Sequence, residues 1–177
     1  MPPTYTQKIT IDHAKNKNMV VNDKIYGKVE IQEPVLMDLI KSPVLQRLKK
    51  ISQYGVPDKY YHLKNYNRFE HSLGVMIILR MVGSTLEEQI AGLIHDISHF
   101  AFSHVADWVF ADGGKKENKE ELQNSLFKSF LKKKGVFKIL QKYNLSFERL
   151  SDENNFPLLE KSVPNLCADR IDYSLRE

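Results

Sequence analysis

The chain has 177 residues, 42% of them hydrophobic and 27% charged, which is ordinary for a soluble globular protein and enough for one domain with its own core. A formal net charge of +4 suits an anionic ligand such as a nucleotide or nucleic acid without requiring one. No apolar run approaches the ~18 residues of a membrane span, and the single cysteine, Cys167, excludes an internal disulfide framework and fits a reducing, cytoplasmic compartment.

Residues 1–18 are polar and rich in Lys and Asn, and read as a lead-in to a domain over 19–177. Met1-Pro-Pro-Thr-Tyr-Thr-Gln7 lacks the charged-then-apolar pattern of a secretory signal. Met19-Val-Val21 and Lys28-Val-Glu-Ile31 flank Asn22-Asp-Lys-Ile-Tyr-Gly27, which predicts a short β-hairpin. From Glu33-Pro34, the residues Val35, Leu36, Leu39 and Ile40 recur at helical spacing. Ser42-Pro43 starts a second helix, carrying Val44, Leu45, Leu48 and Ile51 and ending near Gly55. An aromatic, irregular stretch over 58–67 precedes a helix over 68–81 that breaks at Gly83. Ser84, with Glu87 three residues on, has the pattern of a capping box for a helix carrying Leu86, Ile90, Leu93 and Ile94. An apolar face then runs from Phe100 to Phe110, a charged loop covers 112–119, and Leu122, Leu126, Phe127, Phe130 and Leu131 form another amphipathic helix. Short helical pieces and loops fill 136–165. Asn165 to Arg176 reads as a helix still in progress at Glu177, as expected of a domain cut short at its C-terminus. The fold class is mostly α, with no internal repeat.

Three segments carry chemistry. His95-Asp96 lies at the end of an apolar helical stretch, where unpaired polar groups cost several kcal/mol. Arg68-Phe-Glu-His71 precedes it, and Ala168-Asp-Arg-Ile-Asp-Tyr173 follows near the end. Together they offer His71, His95, Asp96 and Asp169 as two nitrogen and two oxygen ligands for a divalent ion such as Mn, Fe, Ni, Zn or Mg. Such an ion polarises a phosphoryl oxygen and acidifies water, so the set points to a metal-dependent phosphohydrolase. Arg68 suits a phosphate because its guanidinium forks onto paired oxygens.

The ordered motifs resemble the HD-domain phosphohydrolases, and most resemble the branch with the dNTP triphosphohydrolases and the SAM-and-HD-domain proteins. The segments carrying the resemblance are Asn22–Ile31, Ser42–Gly55, Asn67-Arg-Phe-Glu-His-Ser-Leu-Gly-Val75, His95-Asp-Ile-Ser-His-Phe-Ala-Phe-Ser-His104 and Ala168–Tyr173. The resemblance implies a helical bundle, a divalent metal and a homo-oligomer. It implies catalytic roles for Asp96, His99 and His104, and contacts to sugar or phosphate by Gln53, Tyr54, Arg68, Arg170 and Tyr173.

The pattern is broken in two places. No histidine follows His104, and Lys119-Glu120 stands where triphosphohydrolases of this kind carry His-Glu. Lys41 replaces an acidic residue in the region where regulated members bind an activating nucleotide. A second reading is therefore a slow HD module that binds metal and nucleotide or nucleic acid. A third, that His95-Asp-Ile-Ser-His99 imitates the His-Glu-x-x-His helix of zinc peptidases, leaves the other segments unexplained.

Overall fold

Met19, Val21 and Ile31 all point one way from their strands and are buried, and this apolar side seats a small sheet on the helices. The computed structural model describes residues 9–11, 18–55, 60, 66–101, 127–132 and 135–177. Strands β1 (Ile9–Ile11), β2 (Met19–Asp23) and β3 (Gly27–Ile31) form an antiparallel sheet in that order. The β2–β3 pair is the expected hairpin. Ile9–Ile11, inside the expected lead-in, adds a third strand by pairing with Met19–Val21. In the hairpin turn the Asp23 carboxylate accepts the backbone N–H of Ile25 at 2.8 Å and of Tyr26 at 3.1 Å. Gly27 closes the turn at φ +74°, a left-handed conformation that favours glycine.

Helix α1 (Pro34–Lys41) starts on Pro34 and stops at Ser42, whose extended backbone also begins α2 (Pro43–Gln46). One hydroxyl serves both helices, donating to Leu39 O at 2.6 Å and accepting from Leu45 N at 3.3 Å. The second helix is shorter than its apolar spacing suggests. It tightens into a 3-10 turn over Arg47–Lys50 and ends at Ile51. There the chain pairs with a strand-like partner instead, Arg68 N donating to Ile51 O at 2.9 Å and Gln53 N to Tyr66 O at 3.0 Å. Two long-range hydrogen bonds thus replace helix continuation, and they fix Gln53 and Tyr54 beside the start of the next helix.

Helix α3 (Arg68–Met81) has the expected bounds. Asn67 caps it, accepting from Glu70 N at 3.0 Å, and Gly83 breaks it at φ +75°. Every residue from Arg68 to Leu79 is buried, so α3 is the central helix. Helix α4 (Leu86–Ile94) is capped by Thr85 rather than Ser84, with Thr85 Oγ1 accepting from Glu88 N at 3.2 Å. Thr85 is the residue with extended backbone, and that geometry decides which of two adjacent hydroxyls caps.

A helical segment at 127–132 buries Phe127 and Leu131. Helices α5 (Val136–Lys142) and α6 (Phe147–Leu150) are the short pieces expected over 136–165. Helix α7 (Ala168–Arg176) begins three residues later than the expected start at Asn165, after an extended Cys167. The expected apolar face over 102–110 and the loop over 112–119 lie outside the described residues. The core joins Leu36, Leu39, Leu45 and Leu48 to Leu73, Met76, Leu93 and Ile94, all buried. Each such side chain contributes about 1.5–3 kcal/mol against exposure.

Candidate metal centre

Three elements bring polar side chains into this apolar interior. Helix α3 presents Arg68 and His71 from its first turn, the turn after α4 presents His95 and Asp96, and the first turn of α7 presents Asp169. His71, His95 and Asp169 form a cluster whose ligand atoms all lie within 4.8 Å of one another. His71 Nε2 is 2.7 Å from Asp169 Oδ1, and His95 Nε2 is 3.6 Å from the same oxygen. Asp96 stands beside the cluster, with Oδ1 3.8 Å from His95 Nε2 and Oδ2 4.0 Å from His71 Nε2. Atoms bound to one ion at about 2.0–2.2 Å are themselves separated by about 3–4 Å. The separations of 3.6, 3.8 and 4.0 Å suit a shared cation, whereas the 2.7 Å between His71 Nε2 and Asp169 Oδ1 is a hydrogen bond that an ion would replace.

His95 gives the sharpest test of that fit. Its Nδ1 donates to Gly92 O at 2.7 Å, which leaves Nε2 as the lone-pair nitrogen of the neutral ring. Nε2 is buried and, among the described residues, makes no hydrogen bond. A buried lone pair facing two carboxylates is unfavourable unless positive charge lies between them. Burial opposes protonation of His95, yet the charge on Asp96 and the interaction with Asp169 outweigh it and push its pKa up to about 10. Burial likewise opposes ionisation of Asp96 and Asp169, but the neighbouring imidazoles hold both carboxyls far below the usual carboxylate range. The centre thus attracts positive charge, and protons and a divalent ion compete for it. The donor set of two imidazoles with carboxylate fits such an ion.

A cleft of about 480 Å³ opens onto the cluster. Gln53, Tyr54, Arg68, Arg170, Tyr173 and His99 all line it, together with His71, Asp96 and Asp169. All five residues expected to contact substrate therefore face one cavity. Their partners qualify that picture. Arg68 is buried, and its Nη1 donates to Asp96 Oδ2 at 2.6 Å, so its charge already balances a carboxylate of the site. Arg170 Nη2 donates to Glu160 Oε1 at 3.1 Å and also contacts Lys161 O.

Helix α4 ends at Ile94, so His95 and His99 do not share a continuing helical face. A turn carries His99 round until its Nδ1 is 3.6 Å from Asp96 Oδ1. His104 and Lys119 lie outside the described residues.

Two residues without a sequence-level role in the centre belong to its surroundings. Asp172, fully buried one turn after Asp169, approaches His71 Nδ1 with Oδ2 at 2.8 Å. The Tyr66 hydroxyl lies 3.1 Å from the same nitrogen. The spacing of Asp169 and Asp172 on one helix was the available signal, since residues three apart share a face.

Comparison with known proteins agrees with this architecture. The sequence model of the HD domain matches residues 68–176, more than half of the chain. This chain belongs to the HD domain family. It is 44% identical over 160 residues to YdhJ of Bacillus subtilis, an uncharacterised protein, covering 90% of this chain and 47% of that one. It is 38% identical over 177 residues to the metal-dependent phosphohydrolase cns2 of Cordyceps militaris, covering 99% of this chain and 50% of cns2. Human SAMHD1, a deoxynucleoside triphosphate triphosphohydrolase, is 31% identical over 160 residues, covering 80% of this chain and 25% of SAMHD1. The chain thus spans half or less of the length of these relatives. Among the described residues no helix is long and apolar enough to cross a membrane.

Proposed function

We propose that this chain carries the catalytic site of a metal-dependent phosphohydrolase acting on nucleotides, with deoxynucleoside triphosphates the first substrates to test. The observation that supports it most is the buried lone pair of His95 Nε2, facing Asp96 and Asp169 at the foot of a cleft that also holds Arg68, Arg170 and Tyr173. The likeness to cns2 and SAMHD1 supports the reaction class and, more distantly, the substrate.

In this reading His71, His95 and Asp169 hold the ion and Asp96 completes the set. A bound divalent ion supplies Lewis acidity toward a phosphoryl oxygen and toward water. Water oxygen attacks phosphorus, the bond from phosphorus to the leaving oxygen breaks, and a proton must reach that oxygen. His99 is assigned to deliver it, because it lines the cleft and its Nδ1 stands 3.6 Å from Asp96 Oδ1. His104 is a further candidate for proton transfer or phosphate contact. Arg68 and Arg170 face the phosphates as cations, and Gln53, Tyr54 and Tyr173 offer a polar and aromatic wall for the sugar or base.

A second reading is a slow module that binds metal and nucleotide or nucleic acid with little turnover. It is favoured by the absence of any histidine after His104 and by the engagement of Arg170 with Glu160. The test is a panel of dNTPs, nucleotides and phosphodiesters with Mn²⁺, Ni²⁺, Co²⁺ and Mg²⁺, with products separated by chromatography. Release of nucleoside and triphosphate, lost in Asp169→Ala, establishes a triphosphohydrolase. Metal-dependent nucleotide binding without product favours the slow module. Self-association, which the resemblance to the HD-domain phosphohydrolases implies, is read from the same preparation by light scattering.

A further inference from the structure

The most elaborate buried network outside the metal cluster surrounds Asp172. Both carboxylate oxygens are occupied. Oδ1 accepts the Tyr26 hydroxyl at 2.7 Å and Arg176 Nε at 2.9 Å. Oδ2 faces His71 Nδ1 at 2.8 Å, Arg176 Nε at 2.9 Å and the Tyr66 hydroxyl at 3.4 Å. Arg176 is itself held from the hairpin turn, Nη2 donating to Asp23 Oδ2 at 2.7 Å. The guanidinium also lies over both rings, 5.5 Å from the centroid of Tyr26 and 5.9 Å from that of Tyr66.

A carboxylate needed only to neutralise Arg176 would not require this arrangement, because Asp23 already faces that guanidinium. Asp172 adds a fixed acceptor for one ring nitrogen of His71. When Nδ1–H donates to Oδ2, the neutral ring keeps its lone pair on Nε2, the nitrogen that faces Asp169 and His95. Tyr26 and Arg176 hold the carboxylate so that it cannot turn toward the cluster and present a third acid there. A side chain at Gly74 would fill the same space, since a Cβ built on it overlaps Asp172 Oδ1 and Arg176 Nη2. The hairpin turn, α3 and α7 therefore all contribute to the direction of one imidazole.

We propose that Asp172, locked by Tyr26 and Arg176, is a positioning residue that sets the tautomer and orientation of His71 for metal binding, so that the N-terminal hairpin is a structural part of the metal centre. This rests on the reading of His71, His95 and Asp169 as ligands, and it adds that metal affinity depends on Asp172, Tyr26 and Arg176, which do not touch the ion. Carboxylates behind a ligating histidine typically change metal affinity by about 10- to 100-fold when removed.

The test is Co²⁺ titration of the whole metal-free chain, followed by calorimetry and by the visible absorption of bound Co²⁺, with a melting curve for each variant. Asp169→Ala is expected to lose the site. Asp172→Asn is expected to bind Co²⁺ about 10- to 100-fold more weakly with an altered spectrum. Tyr26→Phe, which keeps the carboxylate and removes one hydrogen bond to it, should weaken binding roughly 2- to 5-fold while remaining folded. Wild-type affinity and spectrum in folded Asp172→Asn would overturn the assignment. Should Asp172→Asn not fold, unchanged affinity and spectrum in Tyr26→Phe would overturn it instead. A wild-type chain that takes up no Co²⁺ overturns the metal site itself, and the positioning role with it. A chain that binds Co²⁺ with the expected order of variants but hydrolyses nothing overturns only the hydrolase reading.

Discussion

Helix α3 meets two neighbours at a glycine, and the two contacts are built from opposite chemistry. Toward α4, Gly92 lets the helices close on apolar side chains, with Leu79 Cδ1 and Val75 Cγ1 nearest to where a Cβ would lie. Toward α7, Gly74 lets them close on charge, with Asp172 and Arg176 in that space. Apolar packing is non-directional, so neighbours can adjust by rotating a methyl group at modest cost. A buried ionic network is directional, and removing or displacing one member leaves the others unsatisfied. The same helix therefore has a tolerant apolar face and an intolerant charged face that lies against the candidate metal centre.

That contrast is broken most severely by Gly74→Ala. A methyl group there must displace Asp172 or Arg176, and we expect a loss of about 3 kcal/mol or more, since overpacking and an unpaired buried charge act together. Thermal melting should show a fall of roughly 6–12 °C for a chain of this size, with loss of Co²⁺ uptake. Next in size is the ion itself. Mn²⁺ at a hundredfold excess over its dissociation constant should raise stability by about 2.7 kcal/mol, measured by melting with and without chelator. Asp169→Ala should abolish that increment, and Gly92→Ala should leave it intact.

Gly92→Ala sharpens the comparison from the apolar side. Leu79 Cδ1, the end of a flexible side chain, can rotate away, and alanine regains about 1 kcal/mol of helix propensity. A net change within about 1 kcal/mol is expected from urea unfolding. The smallest effect belongs to an exposed ion pair remote from both contacts. Hydrogen bonds from Lys142 and Tyr143 hold the Asp38 carboxyl below its ordinary value. A depressed carboxylate adds stability above its unfolded pKa and loses it as pH falls through the folded one. Melting between about pH 5 and pH 3 should thus fall slightly more steeply in the wild type than in Asp38→Asn, and the difference should shrink with added salt.

Much of the fold was legible because local rules agreed with tertiary demands. Asn67 and Gly83 bound α3 as a cap and a left-handed break should, and the turn chemistry of Asp23 and Gly27 marks the hairpin. Elsewhere a distant partner prevailed. Helix α2 stops early because Ile51 and Gln53 gain backbone partners from Arg68 and Tyr66, residues more than ten positions away. The choice of Thr85 over Ser84 as cap lay between adjacent hydroxyls that sequence pattern does not separate.

For the site, the sequence by itself determined which side chains are candidates to hold an ion or contact phosphate, because ligand chemistry depends on residue type: His71, His95, Asp96, Asp169 and Arg68 are all readable as letters. Only the tertiary structure decided which of them share a centre, that Arg68 pairs with Asp96, and that Asp172 stands behind His71 with the hairpin's Tyr26 behind it. The reason is physical. Donor identity is a property of one residue, whereas the direction of a lone pair is set by whatever packs against the other side of the ring, and here that lies 101 positions away in the chain for Asp172.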